Sequence, residues 1–149
     1  MKKLLMIACM GLLISVQAPA QKAAVFNTDG TAIHGYDAVA FFKAGKPEKG
    51  ETQFSYKWQD VNWQFANKEN LETFKATPEK YAPQYGGYCA YGTSDGEGHK
   101  APTEINTWTI VGDKLYFNYN KDVKTMWMKD KEHLIEKADK NWPSLKDKE

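Results

Sequence analysis

The 149-residue chain contains no arginine, and all 20 of its basic residues are lysines. Arginine is the side chain whose planar fork grips phosphate and carboxylate groups through two parallel hydrogen bonds. The formal net charge at pH 7 is only +1. A chain without that fork and without a basic excess is not expected to bind nucleic acid or an anionic membrane surface.

The chain also lacks an apolar run long enough to cross a bilayer, which takes about 20 residues. Its longest run follows two lysines, extends from Leu4 to Val16 and precedes Ala18-Pro19-Ala20. This order of charged, apolar and small residues is typical of a secretory signal peptide. The sequence therefore predicts a signal peptide over residues 1–20, a periplasmic or secreted chain beginning at Gln21, and no transmembrane segment.

Cysteine is scarce, and the two cysteines are Cys9 and Cys89. Cys9 lies in the predicted signal peptide. A lipid-modified Cys9 is an alternative, but the apolar region before it is short for an export signal. The mature chain then carries Cys89 alone, which excludes an internal disulfide. An unpaired thiol in an oxidising compartment is a liability unless it is buried, ligated or reactive.

Removal of residues 1–20 would leave 129 residues with 18 lysines and 19 acidic side chains, a formal net charge of −1. That length supports one hydrophobic core, so residues 21–149 are predicted to form a single domain. All 20 aromatic residues, 7 Phe, 5 Trp and 8 Tyr, follow the signal peptide. With so little net charge, a ring-packed core is favoured over a platform for stacking bases.

Two β-hairpins are predicted where aromatic and β-branched residues alternate with polar ones. The first joins residues 54–58 to 63–65, and the second joins Thr107–Val111 to Leu115–Tyr119 across Gly112-Asp113.

Short helices are predicted around the hairpins from caps and helical spacing. They begin after Asn67, at Thr77-Pro78, after Asn120, and in a final segment that Pro143 should end. The apolar residues 32–42 are interpreted as a short helix or strand with Asp37 near its start. Strands and helices in this order predict an α+β domain: a small antiparallel sheet of two hairpins packed with short helices.

Residues 85–92 are the most unusual segment, because three tyrosines and three glycines surround the only mature thiol. Glycine pairs allow a close backbone approach or a positive φ. Cys89 is therefore a candidate metal ligand or redox thiol in a tyrosine-lined pocket, with Tyr88 and Tyr91 as candidate ligand-binding residues. The alternative is a small buried residue packed among rings.

None of the three histidines has a metal-binding spacing to another histidine or to Cys89. His34 lies in a compact apolar segment and is the best candidate partner of Cys89, so Cys89 and His34 are the candidate ligands of a transition metal ion, copper or zinc. Tyr36 and Asp37, which lie close to His34 in the sequence, are candidate ligand-binding residues together with Tyr88 and Tyr91. His99 lies in a loop of carboxylates and is interpreted as solvated, and His133 is expected to be exposed.

Nothing in the sequence indicates an enzyme. It has no GxSxG elbow, no Walker loop, no GxGxxG after a strand and no HExxH. Asp37 beside Tyr36 is a candidate buried base, but helix capping is a simpler explanation for an aspartate at this position.

Several of these segments together resemble the YHS domain family, in its branch of small exported proteins. The resemblance covers nearly all of the mature chain and is carried by Gly35–Phe42, Phe54–Trp58, Trp63–Phe65, Asn70–Tyr81 and Tyr85–Tyr91. Typical YHS domains occur in metal-handling proteins, so the resemblance implies an inherited fold and a role with metals.

The chain departs from that family at its cysteines. The family carries an Asp-Pro-Val-Cys segment and a Phe-Cys-Ser-x-x-Cys segment, which correspond here to Asp37-Ala38-Val39-Ala40 and to residues 65–70. All three cysteine positions hold other residues, and Cys89 lies outside them. The resemblance therefore implies the fold without the family's thiolate ligands.

Three function classes remain open from the sequence. The first is an exported binding module for a metal ion or a small ligand. The second is a structural or interaction domain that binds another envelope protein. The third is a thiol-dependent redox enzyme, which is disfavoured because the mature chain has no resolving cysteine.

Overall fold

The computed structural model describes residues 23–148. The predicted signal peptide, its cleavage site and Cys9 lie outside the described residues. Within them, helices surround a mixed four-stranded sheet and a separate two-stranded antiparallel sheet, which confirms the predicted α+β class. No helix among residues 23–148 has the length and apolar character needed to cross a membrane.

The larger sheet has the strand order β1-β2-β4-β3. Its strands are β1 (Asn27–Thr28), β2 (Thr31–Ala32), β3 (Glu51–Trp58) and β4 (Val61–Phe65). β3 and β4 form the predicted first hairpin, with Tyr56 opposite Trp63. Gln59 and Asp60 both have positive φ, as a tight two-residue hairpin turn requires. β2 pairs with β4 in parallel, so the sheet contains strands that the hairpin pattern did not predict.

The second hairpin is shorter than predicted, with β5 (Thr109–Val111) and β6 (Lys114–Tyr116). Thr107 belongs instead to a short 3-10 turn, Ile105–Thr107. Its hydroxyl donates to the Asn118 carbonyl at 2.8 Å and accepts from the Asn118 N–H at 2.9 Å. These side-chain hydrogen bonds replace the strand ladder beyond Tyr116.

Between residues 23 and 148 the fold also contains six α-helices: α1 (Ala40–Lys43), α2 (Lys68–Ala76), α3 (Pro78–Tyr81), α4 (Ala90–Ser94), α5 (Lys121–Met128) and α6 (Lys131–Leu145). Asn67 caps α2 and Asn120 caps α5, each accepting from the backbone N–H three residues on, as predicted.

The prediction that Pro143 ends the final helix was wrong, because α6 continues to Leu145. Proline removes one backbone donor, and in the last turn it interrupts only one intrahelical bond. The next turn still closes, since the Lys146 N–H donates to the Trp142 carbonyl at 2.8 Å.

Aromatic side chains fill the interior in two clusters. The larger cluster lies between the four-stranded sheet and α1–α3, where Trp63 is only 1% exposed and its ring lies 5.0 Å from that of Phe74. The smaller cluster joins Tyr85, Tyr116 and Trp127 beneath α5 and α6. Residues 85–91 lie beside this second cluster, and this position places Cys89 near the surface formed by α4 and α5.

Candidate functional site

Residues 85–91 follow a path that only a few residue types allow. Tyr85, Gly86 and Gly87 have φ of 56°, 61° and 83°, three left-handed residues in succession. A Cβ at Gly86 would overlap the carbonyl oxygen of Ala24, so that position requires glycine. Left-handed φ is strained for tyrosine, and the Tyr85 hydroxyl is held by a 2.8 Å hydrogen bond to Asp139.

Cys89 is pinned between two distant segments. Its backbone N–H donates to the Ala101 carbonyl at 3.0 Å, and the residue forms an isolated parallel bridge with Phe117. Its sulfur caps α4 by accepting from the Gly92 N–H at 3.4 Å, and it also accepts from the Tyr119 N–H at 3.3 Å. The side chain is 2% exposed. Both donors would stabilise a thiolate at this sulfur.

The thiol nevertheless keeps its proton at neutral pH. Burial raises the pKa of the Cys89 thiol above its ordinary value, and backbone hydrogen bonds from Gly92, Tyr119 and Tyr91 oppose that rise only in part. The thiol proton has an acceptor in Asn118, whose Oδ1 lies 3.7 Å from Sγ. Without a bound cation, Cys89 is therefore a neutral thiol. If a cation bound to the sulfur, the two backbone N–H groups would help to stabilise the thiolate.

The thiol lines a cleft of about 310 Å³, called the Cys89 cleft below. Its other lining residues are Tyr91, Gly92, Asp95, His99, Ala101, Tyr119 and Val123. Cys89 is almost wholly covered, whereas Tyr119 is 49% exposed, so the thiol lies deep and the tyrosine at the rim. The volume is at the lower end of the range of roughly 300 to 1,000 Å³ typical of small-molecule sites.

His99 is brought to this cleft by a specific backbone contact. Its N–H donates to the Gly92 carbonyl at 3.0 Å, and its ring lies so near Gly92 that a Cβ there would be 3.0 Å from Nε2. The histidine that lines the cleft with Cys89 is therefore His99 and not the predicted His34. Across residues 23–148, no group of three or more His, Cys, Asp and Glu side chains is placed to hold a metal ion.

His34 lies elsewhere and is held by its own partners. Its Nε2 lies 2.8 Å from the Thr103 carbonyl oxygen, which can only accept, so this nitrogen carries the proton. Its Nδ1 lies 3.2 Å from the Thr28 hydroxyl. His34 lines two open clefts, neither of which includes Cys89. The geometry does not bring the two predicted metal ligands together.

The predicted tyrosines are divided among several surfaces. Tyr91 lines the Cys89 cleft, as predicted for a residue next to the thiol. Tyr36 lines a cleft with His34, and the Lys49 ammonium lies 4.7 Å from its ring centroid. Tyr88 is buried, and its hydroxyl donates to the Ala23 carbonyl at 2.7 Å, so it fastens the start of the described chain.

Asp37 is fully buried and organises the entry to α1. One carboxylate oxygen accepts from the N–H groups of Val39 and Ala40 at 2.8 and 3.2 Å, so Asp37 binds the backbone at the start of α1, although the N-cap residue of that helix is Val39. The other oxygen accepts from the Ala66 N–H at 2.9 Å and the Asn70 side-chain amide at 2.7 Å. Four donors satisfy this carboxylate, so it is a structural anchor rather than an open ligand.

These contacts also bring distant parts of the chain together. Ala40, Ala66 and Asn70 all donate to the Asp37 carboxylate, although they come from segments up to 30 residues apart in the chain. An internal hydrogen-bond network therefore joins these three segments at the Asp37 carboxylate.

Sequence reasoning missed three residues that shape the Cys89 cleft. The sequence pattern predicts a solvated loop around His99 and a strand that contains Asn118 and Tyr119. Their role depends on the bridge between Cys89 and Phe117, a contact that local patterns do not show. Gly92 is the sequence feature that could have indicated this site. A glycine three residues after a cysteine has no side chain, so another residue can pack against its backbone next to the thiol.

No protein-family model matches the sequence, and neither a curated protein nor a solved structure is detectably similar to it.

Proposed function

We propose that this chain is an exported binding module that takes a metal ion or a small ligand in the Cys89 cleft. One observation carries the proposal: a buried thiol, already accepting two backbone N–H groups, lines a cleft together with the imidazole of His99. Small-ligand sites commonly combine an apolar lining with a few polar groups. Here Tyr91, Tyr119 and Val123 supply the lining.

The donor set favours a soft cation over a hard one. Thiolate and imidazole are the side-chain ligands that copper and zinc prefer. Zinc usually takes three or four protein ligands. Asp95 also lines the cleft, but no three His, Cys, Asp and Glu side chains among residues 23–148 are placed to hold an ion together, so copper(I) fits the Cys89 and His99 pair better. A bound cation would offset the burial that keeps the thiol protonated, and binding would therefore release a proton.

The resemblance to YHS domains supports this proposal through the fold. Ala40, Ala66 and Asn70 meet at one buried carboxylate, as expected if the chain shares the arrangement in which the family gathers its cysteines. With those positions lost, Cys89 is the sole mature thiol, and metal binding in this chain would depend on it.

Alkylation of the folded protein tests the proposal. We expect iodoacetamide to label Cys89 slowly, copper(I) to slow the labelling further, and Cys89→Ser to weaken copper(I) binding at least tenfold. His99→Ala should also weaken it, whereas His133→Ala is the matched control because His133 is exposed on α6 and lines none of the described clefts. Unchanged copper(I) affinity in both Cys89→Ser and His99→Ala would refute a metal site in this cleft.

A second candidate function is an interaction domain that binds another envelope protein. It is favoured by two exposed apolar side chains: Tyr119, which lines the same cleft and is 49% exposed, and Met126 on α5, which is 45% exposed. If Tyr119→Ser and Met126→Ser reduced capture of an envelope protein while copper(I) and small molecules left Cys89 labelling unchanged, this function would replace the first. A thiol-redox enzyme is disfavoured, because burial raises the pKa of Cys89.

A further inference from the structure

We propose a second binding site, for a neutral carbohydrate, in a cleft between the β3–β4 hairpin and α6. This aromatic cleft has a volume of about 340 Å³ and is lined by Trp58, Tyr85 and Trp142 together with the polar side chains of Gln59, Gln84 and Asp139. It shares no lining residue with the Cys89 cleft. The inference is therefore independent of the function proposed above.

Two tryptophans from opposite sides of the fold border this cleft. Trp58 ends β3 and Trp142 lies on α6, and both are half-buried. Their indole N–H groups donate to no acceptor among residues 23–148, whereas the Trp63 N–H is used internally by the Trp58 carbonyl. Half-exposed indoles offer an apolar surface and a free donor at the same place.

The floor of the cleft is fixed in position. Tyr85 is 4% exposed, and its ring packs 6.0 Å from that of Trp142. Burial and the neighbouring Asp139 raise the pKa of Tyr85, so its hydroxyl remains a donor to Oδ1 of Asp139. Oδ2 of Asp139 accepts no hydrogen bond within the described chain. The site thus contains an oriented carboxylate with a free acceptor.

The charges that line the cleft cancel. Glu79 and Asp139 are acidic, and Lys114 and Lys146 are basic. An acidic excess would favour a cationic ligand and a basic excess an anionic one, and the lining has neither. Gln59 and Gln84 each add a donor and an acceptor.

A pyranose ring matches this set of groups. Each of its hydroxyls both donates and accepts, which suits a mixture of carboxylate, amide and ammonium groups. Its axial C–H groups form an apolar face that packs on an indole. A neutral ligand also needs no net charge in the lining, and the lining of this cleft has none. These three matches identify the ligand class as a neutral saccharide.

Saturation-transfer NMR and tryptophan fluorescence test the site with three probes: cellobiose, maltose and N,N′-diacetylchitobiose. We expect at least one of them to bind saturably, and we expect Gln84→Ala and Trp142→Phe each to raise its Kd at least fivefold. Trp108→Phe is the matched control, because Trp108 is a half-buried tryptophan on Phe41 outside the cleft. Cys89→Ser should leave saccharide binding unchanged, whatever it does to copper(I). Near-ultraviolet circular dichroism verifies that each variant is folded.

Three results would overturn the assignment. The first is an absence of saturable binding by all three saccharides. The second is binding that Gln84→Ala, Trp142→Phe and Asp139→Asn all leave unchanged, which would place the saccharide elsewhere. The third is saturable binding of a zwitterion such as glycine betaine by a protein that binds none of the sugars.

Discussion

Replacement of Asp37 by asparagine isolates the contribution of the buried carboxylate. The carboxylate accepts four hydrogen bonds from within the protein and is 0% exposed. Asparagine has the same shape but only one acceptor oxygen. If that oxygen keeps the Val39 and Ala40 donors, the new NH₂ group faces the Ala66 N–H and the Asn70 amide, which are also donors. If the amide is rotated by 180°, the NH₂ group faces the Val39 and Ala40 N–H groups instead, which are also donors.

The expected loss follows from these contacts. Two hydrogen bonds to a charged group disappear, each worth about 1.5 to 3 kcal/mol. We therefore expect Asp37→Asn to lower the free energy of unfolding by about 3 to 6 kcal/mol. Since small domains are stable by roughly 5 to 15 kcal/mol in total, the variant should unfold at a much lower urea concentration.

Equilibrium unfolding in urea, followed by tryptophan fluorescence, measures this loss. Asp113→Asn is the control, because Asp113 is an exposed turn residue with φ of 59°, a conformation that asparagine tolerates. It should change stability by less than about 0.5 kcal/mol. A double-mutant cycle with Asn70→Ala should give a coupling energy of about 0.5 to 3 kcal/mol between Asp37 and Asn70. A loss below about 1 kcal/mol in Asp37→Asn would refute the anchoring role.

Three further predictions concern packing, backbone and pH. Trp63→Ala should cost about 3 to 5 kcal/mol in urea unfolding, as for other buried large aromatics, and a cost below 1 kcal/mol would mean that the ring is not packed as described. Gly86→Ala should destabilise far more than Gly112→Ala, because both have positive φ but only Gly86 has a carbonyl oxygen where the methyl would lie; equal costs would contradict that contact. Burial raises the pKa of Tyr116 to about 12 and that of Tyr85 further, so the unfolded state loses these protons first and stability should fall as the pH rises above about 10. Tyr116→Phe should reduce this alkaline loss, and tyrosinate absorbance that rises fully before unfolding would argue against it.

Local signals predicted much of the fold. The caps at Asn67 and Asn120 need only a side chain and an N–H three residues away, so the sequence shows them directly. The first hairpin follows from its alternation, because a buried sheet face fixes which residues point inward. The strand limits of the second hairpin depended on Thr107 and Asn118, a pair that no periodicity identifies.

The candidate site was less predictable, because its contacts join distant parts of the chain. Cys89 and Tyr91 were found by composition, but the partner of the thiol was assigned to His34. That histidine is fixed by Thr28 and by Thr103, which is 69 residues away. His99 is held at the cleft by the backbone of Gly92, and a loop rich in charges gives no sign of such a contact.

The seven residues from Tyr85 to Tyr91 border both proposed sites, so any coupling between the two ligands would pass through this segment. Any factor by which a saccharide changes copper(I) affinity must equal the factor by which copper(I) changes saccharide affinity. Such coupling needs an element with two arrangements. This segment is pinned at Gly86 by the Phe26 N–H, at Cys89 by Ala101 and at Ala90 by Phe117. We therefore expect a factor near one: a single short segment can border two sites whose ligands bind without changing each other's affinity.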